Sequence, residues 1–279
     1  MKASRFQYPK PVKSLPLKNF RDLINLFRQD IKYKFVPFKL YYKYRAHKYA
    51  KKSSPELNLI KYFCEKQKIS LDVGANLGLF TYFLQKYSHE VFAFEPNPYP
   101  LRYLYSLVGN NTSILPIAVW SRDQTIELNI PKNRKGWSSN GASLKKIDIN
   151  SGIKLKVICR KIDSLSFENV GLIKIDVEGF EIDVLKGAVR TINEQKPNMI
   201  IENEIIHQKN PMELLKLIIG FGYQVYFPTV NIKLKKIDNN FDFNVAQKNP
   251  ELKSTTYLQN FICIHSDNIA KYNDLIEWI

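Results

Sequence analysis

The run Ser70-Leu-Asp-Val-Gly-Ala-Asn-Leu-Gly-Leu-Phe80 constrains the fold of this chain more than any other. Ile69 to Val73 is a short apolar run with one carboxylate, Asp72, and reads as a buried strand. Gly74, Ala75, Asn76, Leu77 and Gly78 make a small-residue turn, and Leu79 to Leu84 continues as a helix. Strand, tight turn and helix together hold a nucleotide-like cofactor in an open α/β sheet. The small residues let the backbone approach the ligand, which sits outside the carboxyl end of the strand. The next strand, Glu90-Val-Phe-Ala-Phe-Glu95, ends in an acid and is stopped by Pro96. Glu95 follows Asp72 by 23 residues, a spacing that lets an acid accept hydrogen bonds from both ribose hydroxyls.

With 279 residues and 44% hydrophobic content, the chain has room for one large α/β domain and an extension. No apolar run approaches the roughly 18 residues of a membrane-spanning helix, and no secretory leader is expected at the charged, proline-bearing start. Cys64, Cys159 and Cys263 are odd in number and far apart, without metal-ligand spacing. Reduced, buried thiols and a cytoplasmic location are the expectation. No metal ligand is assigned, although paired acids leave a divalent ion open.

Residues 1–55 hold 15 Lys or Arg against two acids, Asp22 and Asp30; this net +13 leaves +3 of the chain's +16 for the other 224 residues. The basicity belongs to an N-terminal extension, 1–55, and the rest, 56–279, is the cofactor domain. Asn19 can cap a helix bearing Phe20, Leu23, Ile24, Phe27 and Ile31 on one face. Tyr41-Tyr-Lys-Tyr-Arg45 follows, with Lys48, Lys51 and Lys52 close behind. Three readings stay open for this arm: a helix packed on the domain with a solvated basic face, a peripheral contact with an anionic membrane, or a nucleic-acid grip.

Further along, Ser113 to Val119 reads as a third strand, with Pro116 arguing for a bulge or an edge. Ala118, Val119 and Asp123 are candidates for an adenine pocket. Thr125–Ile130 and Leu155–Arg160 alternate apolar and polar residues as an inserted hairpin would. The polar loop between them offers Trp137 and Ser143 as acceptor contacts. Gly171-Leu-Ile-Lys-Ile-Asp176-Val-Glu178-Gly-Phe-Glu181 then places a strand with Asp176 and Glu178 at its carboxyl end, on the same edge as the glycine-rich turn. Asn198 to Glu204 is another strand ending in acids, and His207 follows closely. Tyr223–Phe227 and Asn260–Ile264 suit a final pair with an antiparallel edge.

Asp72-x-Gly74-x-Asn76-x-Gly78 resembles the first motif of class I methyltransferases. In order and spacing, Leu71–Gly78, Ala93-Phe-Glu-Pro-Asn97, Ala118-Val119, Ile162-Asp-Ser-Leu165, Ile173–Glu181 and Leu185-Lys-Gly-Ala188 resemble the FkbM family of S-adenosylmethionine-dependent methyltransferases. Lys174-Ile-Asp-Val-Glu-Gly179 is the most specific of these motifs. The resemblance covers about Ile69 to Glu204. It implies a Rossmann-like α/β fold with a mostly parallel seven-stranded sheet, an antiparallel edge strand and an inserted β-hairpin. It implies S-adenosylmethionine as donor and, usually, O-methylation. By motif position, Asp72, Gly74, Asn76, Gly78 and Glu95 would hold the cofactor, and Asp176 and Glu178 would sit at the reaction end.

Methyl transfer from a sulfonium is an in-line displacement that needs an aligned acceptor and, for a hydroxyl, a place for its proton. Asp176, Glu178, Glu204 and His207 are the residues that could supply it. A hydroxyl of a glycan, glycolipid or secondary metabolite is the expected acceptor. Ribose methylation of a nucleic acid gripped by the basic arm, and a cofactor-binding protein without transfer, are the alternatives. Base N-methylation expects an Asn/Asp-Pro-Pro-aromatic element where Asp176-Val-Glu-Gly stands.

Overall fold

The computed structural model describes residues 38–52, 54, 56–133, 136–137, 152–207, 210–229, 231–238, 241–247 and 258–277. The helix expected after Asn19 and the loop residue Ser143 lie outside the described residues. In chain order the elements are α1 (Phe38–Lys52), α2 (Glu56–Phe63), β1 (Ile69–Val73), α3 (Leu79–Tyr87), β2 (Val91–Phe94), α4 (Pro98–Leu107), β3 (Thr112–Leu115), β4 (Ala118–Val119), β5 (Gln124–Asn133), β6 (Gly136–Trp137), β7 (Gly152–Arg160), β8 (Val170–Ile175), α5 (Glu181–Lys186), α6 (Val189–Gln195), β9 (Asn198–Glu202), α7 (Pro211–Gly220), β10 (Tyr223–Pro228), β11 (Leu234–Lys236), α8 (Phe243–Ala246) and β12 (Asn260–His265).

Eight strands form the central sheet in the order β11-β10-β12-β9-β8-β1-β2-β3. The five from β3 to β9 are parallel. β12 runs antiparallel between β9 and β10, and β11 pairs antiparallel with β10 at the edge. An antiparallel strand thus stands at the edge, as expected, and β12 is a second one enclosed within the sheet; β11 brings the expected seven strands to eight. Leu234-Lys-Lys shows little of a strand in sequence, because one leucine is its whole buried face.

Residues of alternating parity feed two cores, one on each face of the sheet. Leu71, Val73, Ile173, Ile175, Met199 and Ile201 pack against the helices α5 to α7. Leu172, Ile200, Ile262 and Ile264 pack under α1, α2 and α3. Helix α1 reaches this second core through Tyr42, Ala46 and Ala50, spaced one turn apart.

The expected third strand is two strands in two sheets. β3 pairs with β2 as far as Leu115, then β4 pairs parallel with β7. Pro116 sits at the break, where a residue without an N–H costs no ladder bond. The inserted hairpin is formed by β5 and β7, whose register runs from Gln124↔Cys159 to Pro131↔Gly152. Trp137 joins it through backbone pairing of β6 with Lys132.

The segment after β4 is pinned to the loop after α5 by contact at Gly187. A Cβ there would lie 2.1 Å from the Trp120 carbonyl oxygen. Gly187→Ala is expected to cost roughly 1–3 kcal/mol through overpacking. Gly220→Ala, where nothing lies within 4 Å of the new atom, is expected to change stability by less than about 1 kcal/mol. Urea midpoints of the two variants check the contrast.

Candidate active site

Strand β1 leads to β2 and β3 on one side and stands beside the parallel β8 on the other, so the order in which the strands are laid down reverses at the β1/β8 boundary. In open α/β sheets, ligands bind outside the carboxyl ends of the strands at such a point. Here the ends are tied together tightly. The amides of Gly74 and Ala75 both donate to the Phe94 carbonyl, at 3.0 and 2.9 Å, and the Asp176 amide donates to the Val73 carbonyl at 3.0 Å. Gly74 has φ +80, and a Cβ on it would lie 1.8 Å from the Asp176 carbonyl oxygen. No residue with a side chain fits there.

Asn76, also left-handed at φ 49, donates its amide to Glu95 Oε2 at 2.7 Å. The Asn97 amide donates to Glu95 Oε1 at 2.7 Å. Glu95 is buried, and burial pushes its carboxyl up to about 7 despite these two backbone donors. Asn97 also caps α4, accepting from the Tyr99 amide at 3.0 Å ahead of Pro98 at the first helical position.

These residues border a solvent-open cleft. Gly74, Asn76, Glu95, Asp176 and Glu178 supply its polar side. Phe94, Ile117, Ala118, Val119 and Leu128 supply an apolar wall, capped by Trp120 and Phe180 with ring centroids 4.8 Å apart. An adenosyl group needs a slot for a flat ring and an acceptor for two hydroxyls. The wall offers a flat apolar surface, Glu95 offers carboxylate oxygens, and the bare Gly74 backbone leaves room for close approach.

Also on the cleft lining, Asp176 leaves β8 beside Lys174, whose ammonium is wholly buried and lies 3.4 Å from Asp176 Oδ2. Glu202 hydrogen-bonds Asp176 from β9, and burial foremost, then the Asp176 charge, raises its carboxyl well above the usual range. Two carboxyl groups in one hydrogen bond hold a proton between them. Glu178 adopts φ 56 and Gly179 φ 96. Glu181 braces this turn by accepting the Val177 and Gly179 amides at 3.1 and 3.0 Å. His207 Nε2 lies 2.8 Å from Glu178 Oε2 and 3.5 Å from Glu204 Oε2. The hydrogen bond to Glu178 is the main cause that raises the imidazole pKa above its usual value.

Of the residues singled out in the sequence, Gly74, Asn76, Glu95, Ala118, Val119, Asp176 and Glu178 meet at the cleft, and His207 joins through Glu178. Asp72 and Gly78 lie behind it. Asp72 is buried and accepts from the Thr81 hydroxyl of α3, while a Cβ on Gly78 would strike Leu104 and Leu107. Asp123 is not part of the pocket: it accepts the Lys161 amide at 2.7 Å and fastens the hairpin base. Trp120, Phe180 and Glu202 were not anticipated. Their signal was faint, an aromatic after Ala118-Val119, another after Glu178-Gly179, and the first of two acids at a strand end. Among the described residues no group of three His, Cys, Asp or Glu has the geometry to hold a metal ion.

A family model described as the methyltransferase FkbM domain matches residues 72–225, more than half of the chain. Among solved structures, the chain is similar to a methyltransferase FkbM from Methylobacillus flagellatus KT, with 17% identity and a TM-score of 0.44 over 72% of this chain and 44% of that one. It is also similar to an rRNA methylase from Streptococcus thermophilus, with 12% identity and a TM-score of 0.40 over 75% and 92% of the two chains. A TehB-like SAM-dependent methyltransferase from Corynebacterium glutamicum shows 13% identity and a TM-score of 0.41 over 75% and 84%. The chain thus spans less than half the length of the Methylobacillus protein. A comparison with curated proteins gives no match.

Glu95 generates a prediction with a sign. If the ribose hydroxyls of the cofactor donate to its ionised carboxylate, the pKa of about 7 couples binding there to proton release. Affinity for S-adenosylhomocysteine is therefore expected to rise as pH increases through 7. Glu95→Gln should remove this dependence and weaken binding about ten- to a hundredfold, the scale of losing one or two hydrogen bonds to a charged group. Calorimetric titrations at pH 6 and pH 8 check both.

Proposed function

The chain belongs to the FkbM methyltransferase family, and from that premise we propose that this S-adenosylmethionine-dependent methyltransferase methylates a hydroxyl of a glycan, glycolipid or secondary metabolite. The observation that carries the reading is the His207–Glu178 contact of 2.8 Å, set beside Asp176 on the cleft lining. An oxygen nucleophile must lose a proton, and an imidazole held by a carboxylate is suited to take it.

When bound, S-adenosylmethionine supplies a methyl carbon made electrophilic by its positively charged sulfur. Glu95 would hold the ribose, the turn at Gly74 to Asn76 would lie against the amino-acid portion, and the wall from Ile117 to Trp120 would face the adenine. Asp176 would align the acceptor by accepting from a neighbouring hydroxyl. His207, held by Glu178, would accept the reacting hydroxyl's hydrogen bond and take its proton as the C–O bond forms and the methyl–sulfur bond breaks, leaving neutral S-adenosylhomocysteine. The left-handed Glu178 (φ 56) supports this assignment, since strain of about 1–3 kcal/mol is commonly retained where a side chain must be aimed.

As a base, His207 must be neutral. Its raised pKa places the acid limb of kcat above the imidazole's ordinary value, with turnover lost as pH falls through it. Removing the carboxylate partner by Glu178→Gln should move that limb to lower pH. His207→Gln should lower kcat by about 10²–10⁴ with cofactor affinity unchanged, and Asp176→Asn should likewise bind cofactor but turn over slowly. The acceptor class is tested by transfer of labelled methyl into a fractionated cell extract. Label in the saccharide, lipid or small-metabolite fraction is the expected result. Ribonuclease-sensitive label would replace this reading with ribose methylation.

A further inference from the structure

Helix α1 carries six basic residues among its 15 and no acid. Its inner stripe, Tyr42, Ala46 and Ala50, is buried. Its outer surface exposes Lys43, Lys48, Tyr44 at 65% and Tyr49 at 39%. Alongside runs a groove between α1, α2 and α3. His47, Lys61 and Lys86 enter it from the three helices, next to Tyr62 and Tyr87, and no acidic side chain lines it.

Gathering cations without counter-charges is unfavourable unless something anionic compensates. Among the described residues, the ammonium groups of Lys48, Lys61 and Lys86 lie against aromatic rings. Lys48 lies 6.0 Å from the Tyr44 ring centre, Lys61 4.6 Å from that of Tyr62, and Lys86 3.9 Å from that of Tyr82. The α1 and α2 parts of this face precede residue 72, where the family match begins, and only the α3 residues of the groove lie within the matched segment.

We propose that the outer face of α1 and α2 docks on an anionic phospholipid surface. Lysines meet the headgroup phosphates, and tyrosines, apolar with a polar tip, sit at the level of the headgroups. Lys61, Lys86 and His47 receive one headgroup phosphate in the groove. A lipid surface fits better than a nucleic-acid strand because Tyr44 and Tyr49 stand out from the helix and do not line the groove. Single-strand binding instead stacks successive bases along a basic channel.

The test uses the full chain and does not depend on the acceptor. Co-sedimentation is measured with vesicles of phosphatidylcholine alone and of phosphatidylcholine mixed with phosphatidylglycerol, at low and high salt. Binding to the anionic vesicles alone, weakened by salt, is expected. The combined variant Lys48→Glu, Lys61→Glu, Lys86→Glu should reduce it by more than about tenfold, while Tyr44→Ser with Tyr62→Ser should reduce it at constant charge. Affinity for S-adenosylhomocysteine, unchanged in both, confirms the fold. Absence of vesicle binding, or equal binding by the charge-reversed variant, overturns the proposal. So does a single-stranded RNA that binds more tightly than the vesicles and is lost in the same variant.

Discussion

The site depends on one buried charge. Lys174 is wholly enclosed, with its ammonium 3.2 Å from the Ile175 carbonyl, 3.4 Å from Asp176 and 4.6 Å from the centre of the Phe80 ring. An unpaired ammonium in such a place would be prohibitively costly, so its surroundings must keep negative charge available. More acids gather than one lysine can balance. Asp72, Asp176 and Glu202 come from the sheet, and Glu56 comes from the start of α2, where it accepts from the Asn260 amide group at 2.8 Å. Burial raises Glu56 to about 7 and Asp72 to about 6, and drives Glu202 well above its ordinary value. Glu202 and part of Glu56 therefore retain protons near neutrality, which reduces the excess of negative charge around Lys174. It joins four strands and one helix at the level of the cleft floor.

Onto that floor the backbone lays the site with little freedom. The Phe94 carbonyl takes two amides from the glycine-rich turn, and the Val73 carbonyl takes the amide of Asp176. The Asp176 carbonyl occupies the space that a side chain on Gly74 would need. The cleft residues Gly74, Glu95 and Asp176 are thus positioned by the same few peptide groups. A displacement at any one strand end would be felt at the other two. Rigid placement of this kind is what lets a binding site supply alignment without further rearrangement.

Legibility in the sequence followed the range of the interactions. β1 and the start of α3 were readable because an apolar run, small turn residues and a helical run are all local. Glu95 was readable because a strand end and a proline mark it. The Ser113–Val119 run was misread as one strand because its hydrophobicity is continuous. Only pairing partners distant in sequence, β2 for its first half and β7 for its second, divide it at Pro116. Asp123 looked like an adenine contact by position, but its carboxylate is taken by the amide of Lys161, 38 residues away. Glu202 was seen only as a strand-end acid. Its contact with Asp176 depends on the β8/β9 register, in which Ile175 stands opposite Ile201.

The two ends of the molecule's chemistry are opposite in charge, and this limits what can enter. The cleft and its mouth are acidic, with Glu95, Asp176 and Glu178 on the lining and Glu204 behind His207. The outer face of α1 to α3 is basic. A cationic sulfonium is welcome in the first environment, whereas a phosphate or carboxylate beside the reacting hydroxyl would be opposed by carboxylates at close range in a partly desolvated site. An acceptor that is neutral around its reacting oxygen satisfies this constraint. Any anionic portion it carries would have to lie outside the cleft, and sugar hydroxyls remote from charged groups meet that requirement.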